Sequence, residues 1–123
     1  MIKGYQDFYY NVTDIKKACE FYTKAFNLEI VFADEYWASL KLDTLKLGLH
    51  ASDEKSIPTT PRNSHGQECG GTLTFLSDNI MEDRKLLENL GAKILGEFDA
   101  PWGHMLTFED LDGNVLKLMN PKY

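Results

Sequence analysis

Apolar and polar positions change period several times along this chain, and each change marks an element. Residues 5–12, Tyr-Gln-Asp-Phe-Tyr-Tyr-Asn-Val, alternate with period two, which predicts a strand with Phe8, Tyr10 and Val12 on one face and Asp7, Tyr9 and Asn11 on the other. From Ile15 the spacing becomes three and four: Ile15, Ala18, Cys19, Tyr22, Ala25 and Phe26 are apolar, with Lys16, Lys17, Glu20 and Lys24 between them. That is an amphipathic helix, capped by Thr13 or Asp14 and ended by Asn27. Three short strands follow, at 29–34, 36–42 and 45–50. In the last, Leu45, Leu47 and Leu49 oppose Lys46, Gly48 and His50.

Residues 51–69 lose all periodicity and contain Pro58 and Pro61. They predict a connection between two halves, in which Arg62 and His65 are candidates for a lid. The pattern then starts again. Residues 71–76 predict a strand with Leu73 and Phe75 opposite Thr72 and Thr74. Asp78 or Asn79 caps a helix with Ile80, Leu86, Leu87 and Leu90 on its apolar side, and Gly91 closes it. Residues 93–99, 103–109 and 115–120 predict three more strands, the last two joined by Asp110-Leu111-Asp112-Gly113-Asn114, whose residue types favour a tight reversal. The final strand sets Leu116 and Leu118 against Val115, Lys117 and Met119. The landmarks Asp14 and Phe26 recur as Asp78 and Leu90, each 64 positions on (78 − 14 and 90 − 26), which indicates an internal duplication. The fold class expected is α+β, with two βαβββ modules at about 4–50 and 70–121 in one 123-residue domain.

Composition narrows the function. A charge of −6 and the lack of any basic cluster argue against nucleic acid as a partner. No apolar run approaches the roughly 20 residues of a membrane span, and the start lacks a signal-peptide core, so a cytoplasmic protein is expected. Cys19 and Cys69 have neither the spacing nor the neighbours of a metal or redox motif, and two reduced thiols are expected. No nucleophile elbow, phosphate-binding glycine loop or His-Glu-x-x-His is present.

Pro101-Trp102-Gly103, Phe108 and Asp110-Leu111-Asp112-Gly113-Asn114 resemble the closing segment of the glyoxalase/bleomycin-resistance/dioxygenase (vicinal oxygen chelate) superfamily. That segment usually reads Pro-Trp-Gly, a strand, Asp-Pro-Asp-Gly-Asn, and a strand carrying a metal-binding glutamate. Here Leu111 stands for the proline and Lys117 for the glutamate. Asp14, Phe21-Tyr22 and Phe26-Asn27 are similar to the family's helix motif, so the resemblance spans nearly the whole chain. It implies two modules whose sheets surround a cleft, and a homodimer.

In metal-dependent members the resemblance places ligands at Asp7, Gly48, Thr72 and Lys117. Only Asp7 is a good ligand for a divalent ion, so no metal and no other cofactor is expected. His50, two residues beyond Gly48, and His104 are the neighbours that a shifted ligand set would use. The ligand-binding residues expected in the cleft are Asp7, Tyr9, Trp37, Lys46, His50, Thr72, Thr74, Trp102, His104, Phe108, Lys117 and Met119, with Tyr36, Ser39 and Lys41 as further candidates. Aromatic side chains there would sandwich a flat small molecule, and Asp7, His50 and Lys117 would fix its polar ends. The expected function is metal-free small-molecule binding of the bleomycin-resistance type. The alternatives are a metal-dependent lyase or isomerase (lactoylglutathione lyase-like) or a dioxygenase, a metal-free lyase with His50 or Asp7 as base, and an accessory domain for a protein partner.

Overall fold

The computed structural model describes residues 1–53 and 71–123. Arg62, His65 and Cys69 lie outside the described residues. The chain forms two compact units, Met1–Ile57 and Pro58–Tyr123.

The first unit has the order β1 (Phe8–Val12), α1 (Ile15–Phe26), β2 (Glu29–Ala33), β3 (Trp37–Leu42) and β4 (Leu45–Ala51). Its sheet runs β1-β4-β3-β2, with β1 parallel to β4 and the other pairs antiparallel. Asp14 caps α1 by accepting a hydrogen bond from the Lys17 amide, and Asn27 ends it in the left-handed conformation at φ 57°. The helix buries Ile15, Ala18, Cys19, Phe21, Tyr22 and Phe26. Register places Leu47 opposite Phe8 and Leu40, and Leu49 opposite Tyr10 and Ala38, so these residues share the helix-covered face. The core is thus largely aliphatic on the sheet and aromatic on the helix. Tyr22 meets Tyr10, Phe21 and Phe26 at centroid separations of 6.4, 5.4 and 5.6 Å.

The second unit repeats the order as β5 (Leu73–Leu76), α2 (Ile80–Asn89), β6 (Lys93–Ala100), β7 (Gly103–Glu109) and β8 (Val115–Pro121), with sheet order β5-β8-β7-β6. Asn79 caps α2 by accepting from the Glu82 amide. This fixes the choice between Asp78 and Asn79, so the helix starts stand 65 apart (79 − 14), whereas the left-handed residues that follow them, Asn27 and Gly91, stand 64 apart. Both sheets also carry a register shift in the strand after the helix, between Ile30 and Phe32 and between Ile94 and Gly96. A bulge recurring at the same place supports duplication independently of sequence identity.

The α2 helix buries only Ile80 and Leu87; Leu86, expected in the core, is 38% exposed. Most of this module's core comes from the β7–β8 hairpin, where Leu106, Phe108, Val115, Leu116 and Leu118 are all buried. Asp110 holds its turn. One carboxylate oxygen accepts from the Asp112 and Asn114 amides at 2.9 Å each, and the other accepts from Asn114 Nδ2 at 2.9 Å. Gly113 then takes φ 88°, a conformation that favours glycine.

Candidate functional site

Each sheet has one face covered by its helix and one that the helix leaves open, and the open faces carry the chemistry. In the first module the open face reads as three rows across the strands: Asn11, His50 and Trp37; then Tyr9, Gly48, Ser39 and Phe32; then Lys46, Lys41 and Glu29. Tyr9, Lys46, His50 and Trp37 therefore share one face, with Ser39 and Lys41 beside them. The three rings are neighbours, with Tyr9–Trp37, Tyr9–His50 and Trp37–His50 centroids 5.7, 6.1 and 6.2 Å apart.

The indole of Trp37 lies over Gly48. A methyl group at position 48 would collide with its Cη2 and Cζ2 atoms, so the absence of a side chain there makes room for the ring. Trp37 Nε1 donates to Ser39 Oγ at 2.8 Å, which fixes the ring along its own strand. Beside it is a hollow of about 220 Å³, bordered by Gln6, Asp7, Trp37, Ser39, Lys46 and Gly48. His50 Nδ1 is 3.2 Å from Asn11 Oδ1. Lys46 lies 5.7 Å from the Tyr5 ring centroid, and Lys41 is 3.7 Å from Glu29. Tyr36 is 68% exposed in the β2–β3 connection, where Asp34 Oδ1 accepts from both the Tyr36 and Trp37 amides.

A larger hollow of about 720 Å³ runs beside α1 and β2, bordered by Cys19 and Ile30 among others. It is on the helix side of the sheet, away from the aromatic cluster. Cys19 itself is buried, and that burial raises its thiol pKa and keeps it protonated.

In the second module the open face reads Leu76, Met119, Met105 and Phe98; then Thr74, Lys117 and Thr107; then Val115, Glu109 and Lys93. Thr74, Lys117 and Met119 are where alternation predicts. Thr72 lies just ahead of β5. Trp102, in the turn before β7, packs edge-on against Phe98 at 5.7 Å.

Two expected residues are on the opposite face. Phe108 pairs with Leu116 and is fully buried on the helix-covered side. His104 pairs with Asn120 and Asp99, on that same face, and its Nε2 lies 3.3 Å from Glu97 Oε2. Arg84 of α2 reaches the same Glu97 at 3.3 Å and Glu88 at 2.9 Å, and these two carboxylates raise the guanidinium pKa further. His104 thus sits beside a surface ion-pair network near the helix. The reason is register. The turn is centred on Asp112, so position 108 must face position 116 and position 104 must face position 120.

Pairing also shows which residues are equivalent between modules. Tyr9 pairs with Gly48, and Thr74 pairs with Lys117. Tyr9 and Thr74 stand 65 apart, the same offset as the helix caps, which makes Gly48 and Lys117 counterparts. Asp7 and Thr72 are counterparts too, each seven residues before its cap. The four positions that the resemblance assigns to a divalent ion therefore hold a carboxylate, no side chain under an indole, a hydroxyl and an ammonium. That set does not fit such an ion. Among the described residues, no group of three or more His, Cys, Asp or Glu side chains is placed to hold a metal.

Residues 5–118 match the model of the Glyoxalase/Bleomycin resistance protein/Dioxygenase superfamily, and the chain belongs to that family. Solved structures agree in fold. The fosfomycin resistance protein FosX from Listeria monocytogenes, in its hexagonal form, superposes with TM-score 0.78 at 20% identity, covering 99% of this chain and 96% of that one. The same protein complexed with Mn(II) and sulfate gives TM-score 0.76 at 18% identity, covering 99% and 93%. FosX from Mesorhizobium loti gives 0.72 at 16% identity, covering 99% and 95%. No curated protein matches the sequence significantly. Among the described residues, no helix is long and apolar enough to cross a membrane.

Proposed function

We propose that this protein is a small-molecule-binding member of its family that works without a metal ion, holding a flat organic ligand against an open sheet face. The reading rests on one observation: the indole of Trp37 fills the space over Gly48, while the counterpart position holds Lys117. An ammonium repels a divalent cation, and an indole offers it no lone pair. What the first module presents instead is a ring cluster of Tyr9, Trp37 and His50 beside a hollow with Asp7 and Lys46 at its border, a combination suited to an aromatic body with polar ends. The reading includes a homodimer, following the family resemblance, and a cytoplasmic location.

The second reading is a metal-dependent enzyme of the lyase, isomerase or dioxygenase kind. The structural likeness to FosX, including a form complexed with Mn(II), favours it. Identity near 20% carries the fold and not the ligand set. Calorimetric titration of chelator-stripped protein with nickel, zinc, manganese and ferrous iron separates the two. No saturable binding is expected. Stoichiometric binding that Asp7→Ala or His50→Ala abolishes would establish the second reading and displace the first.

A further inference from the structure

The open face of the second module is sorted by row. One row consists of Leu76, Met119, Met105 and Phe98, four apolar side chains in direct cross-strand register, with Trp102 edge-on against Phe98 at its end. Leu76 and Phe98 are 81% and 50% exposed. The adjacent row consists of Thr74, Lys117 and Thr107, an ammonium with a hydroxyl-bearing neighbour on each side. Neighbouring strands lie about 4.7–4.9 Å apart, so these three directly paired side chains on one face can converge on one small group. The fold does not demand a lysine here, because the counterpart position in the first module is Gly48. Methionine and aromatic side chains give an adaptable apolar bed. A lysine between two threonines gives one oxyanion N–H and O–H donors from three side chains.

We infer that this face binds a hydrophobic organic carboxylate, with its carboxylate at Lys117, Thr74 and Thr107 and its apolar body along Leu76, Met119, Met105 and Phe98. This rests on the small-molecule reading and specifies the ligand's charge. The sign is opposite to the one that the chain's net charge of −6 favours. Glu109, one row further out, shares the face and narrows the preference to a ligand with a single negative group.

The test uses three matched probes that differ in one group: 1-naphthaleneacetate, 2-(1-naphthyl)ethanol and 2-(1-naphthyl)ethylamine. Each is titrated calorimetrically into the full-length protein, with Trp fluorescence followed in parallel. The acid should bind about 10- to 100-fold more tightly than the alcohol, the range expected of one charge-assisted contact, and the amine should bind most weakly. Lys117→Met should remove that advantage and leave the alcohol's affinity in place. Lys117→Arg should keep most of it, and Lys93→Met, on the same face one row away, should change nothing. The inference fails if the alcohol or amine binds as well as the acid, if none of the three binds, or if Lys117→Met binds the acid as well as the parent chain does. Those outcomes leave the metal titration untouched, and metal binding there would overturn the broader reading whatever the probes show.

Discussion

The two modules share a backbone plan and exchange its chemistry row by row. Where the first has Tyr9, Gly48 and Ser39, the second has Thr74, Lys117 and Thr107; where the first has Asn11, His50 and Trp37, the second has Leu76, Met119 and Met105. The charged row changes sign position by position as well, with Lys41 and Glu29 in the first against Glu109 and Lys93 in the second. Pairing constrains where a side chain points, not what it is, so a duplicated sheet can specialise one copy for rings and the other for an ammonium beside apolar side chains. The helix-covered faces differ too. Six buried residues of α1 supply much of the first core, whereas α2 supplies two and the β7–β8 hairpin supplies most of the second.

The largest effect should come from that core asymmetry. Phe21 in α1 and Leu86 in α2 are 65 positions apart, yet Phe21 is 2% exposed and Leu86 38%. Phe21→Ala should cost about 3–5 kcal/mol, and Leu86→Ala about 1–2 kcal/mol, in urea unfolding. Equal costs would break the contrast between an aromatic, helix-built core and a hairpin-built one.

Next comes the indole over the glycine. Gly48→Ala should destabilise by about 1–3 kcal/mol, because Trp37 must leave its place, and should shift the tryptophan emission. In the Trp37→Ala background the same change should cost much less, a coupling that a double-mutant cycle reads directly. A neutral Gly48→Ala with unchanged emission would mean that the ring is not seated there.

The smallest effect concerns the edge of the second module. The hydrogen bond from Lys122, aided by its charge and that of His104, holds the Asp99 carboxyl below its ordinary value of 3.8. A carboxylate with a depressed folded pKa stabilises the fold above its unfolded pKa and loses that contribution as pH falls through the folded one, here on the acid side of 3.8. Lys122→Ala should bring the Asp99 titration, followed by NMR, back up toward the ordinary value, with little change in unfolding because the pair is exposed.

Much of this was legible in the residues. Strict alternation in 45–50 and 71–76 assigned their faces, the 3–4 spacing in 15–26 gave α1, and Asp110 to Asn114 gave the hairpin, because each of these signals is local. Leu86 and Leu90 looked like core by the same spacing. The ten-residue α2 buries only Ile80 and Leu87, fewer than the pattern alone implies.

Local sequence sets the periodicity of each element, its start and stop, and shows the duplication, since steric and capping preferences act within a few residues. Tertiary structure decided how strands pair, and with it the inward turn of Phe108, the withdrawal of His104 to Glu97, the seating of Trp37 over Gly48 and the row that sets Lys117 between two threonines. Those facts depend on which residue of a neighbouring strand stands opposite, and no single strand carries that information.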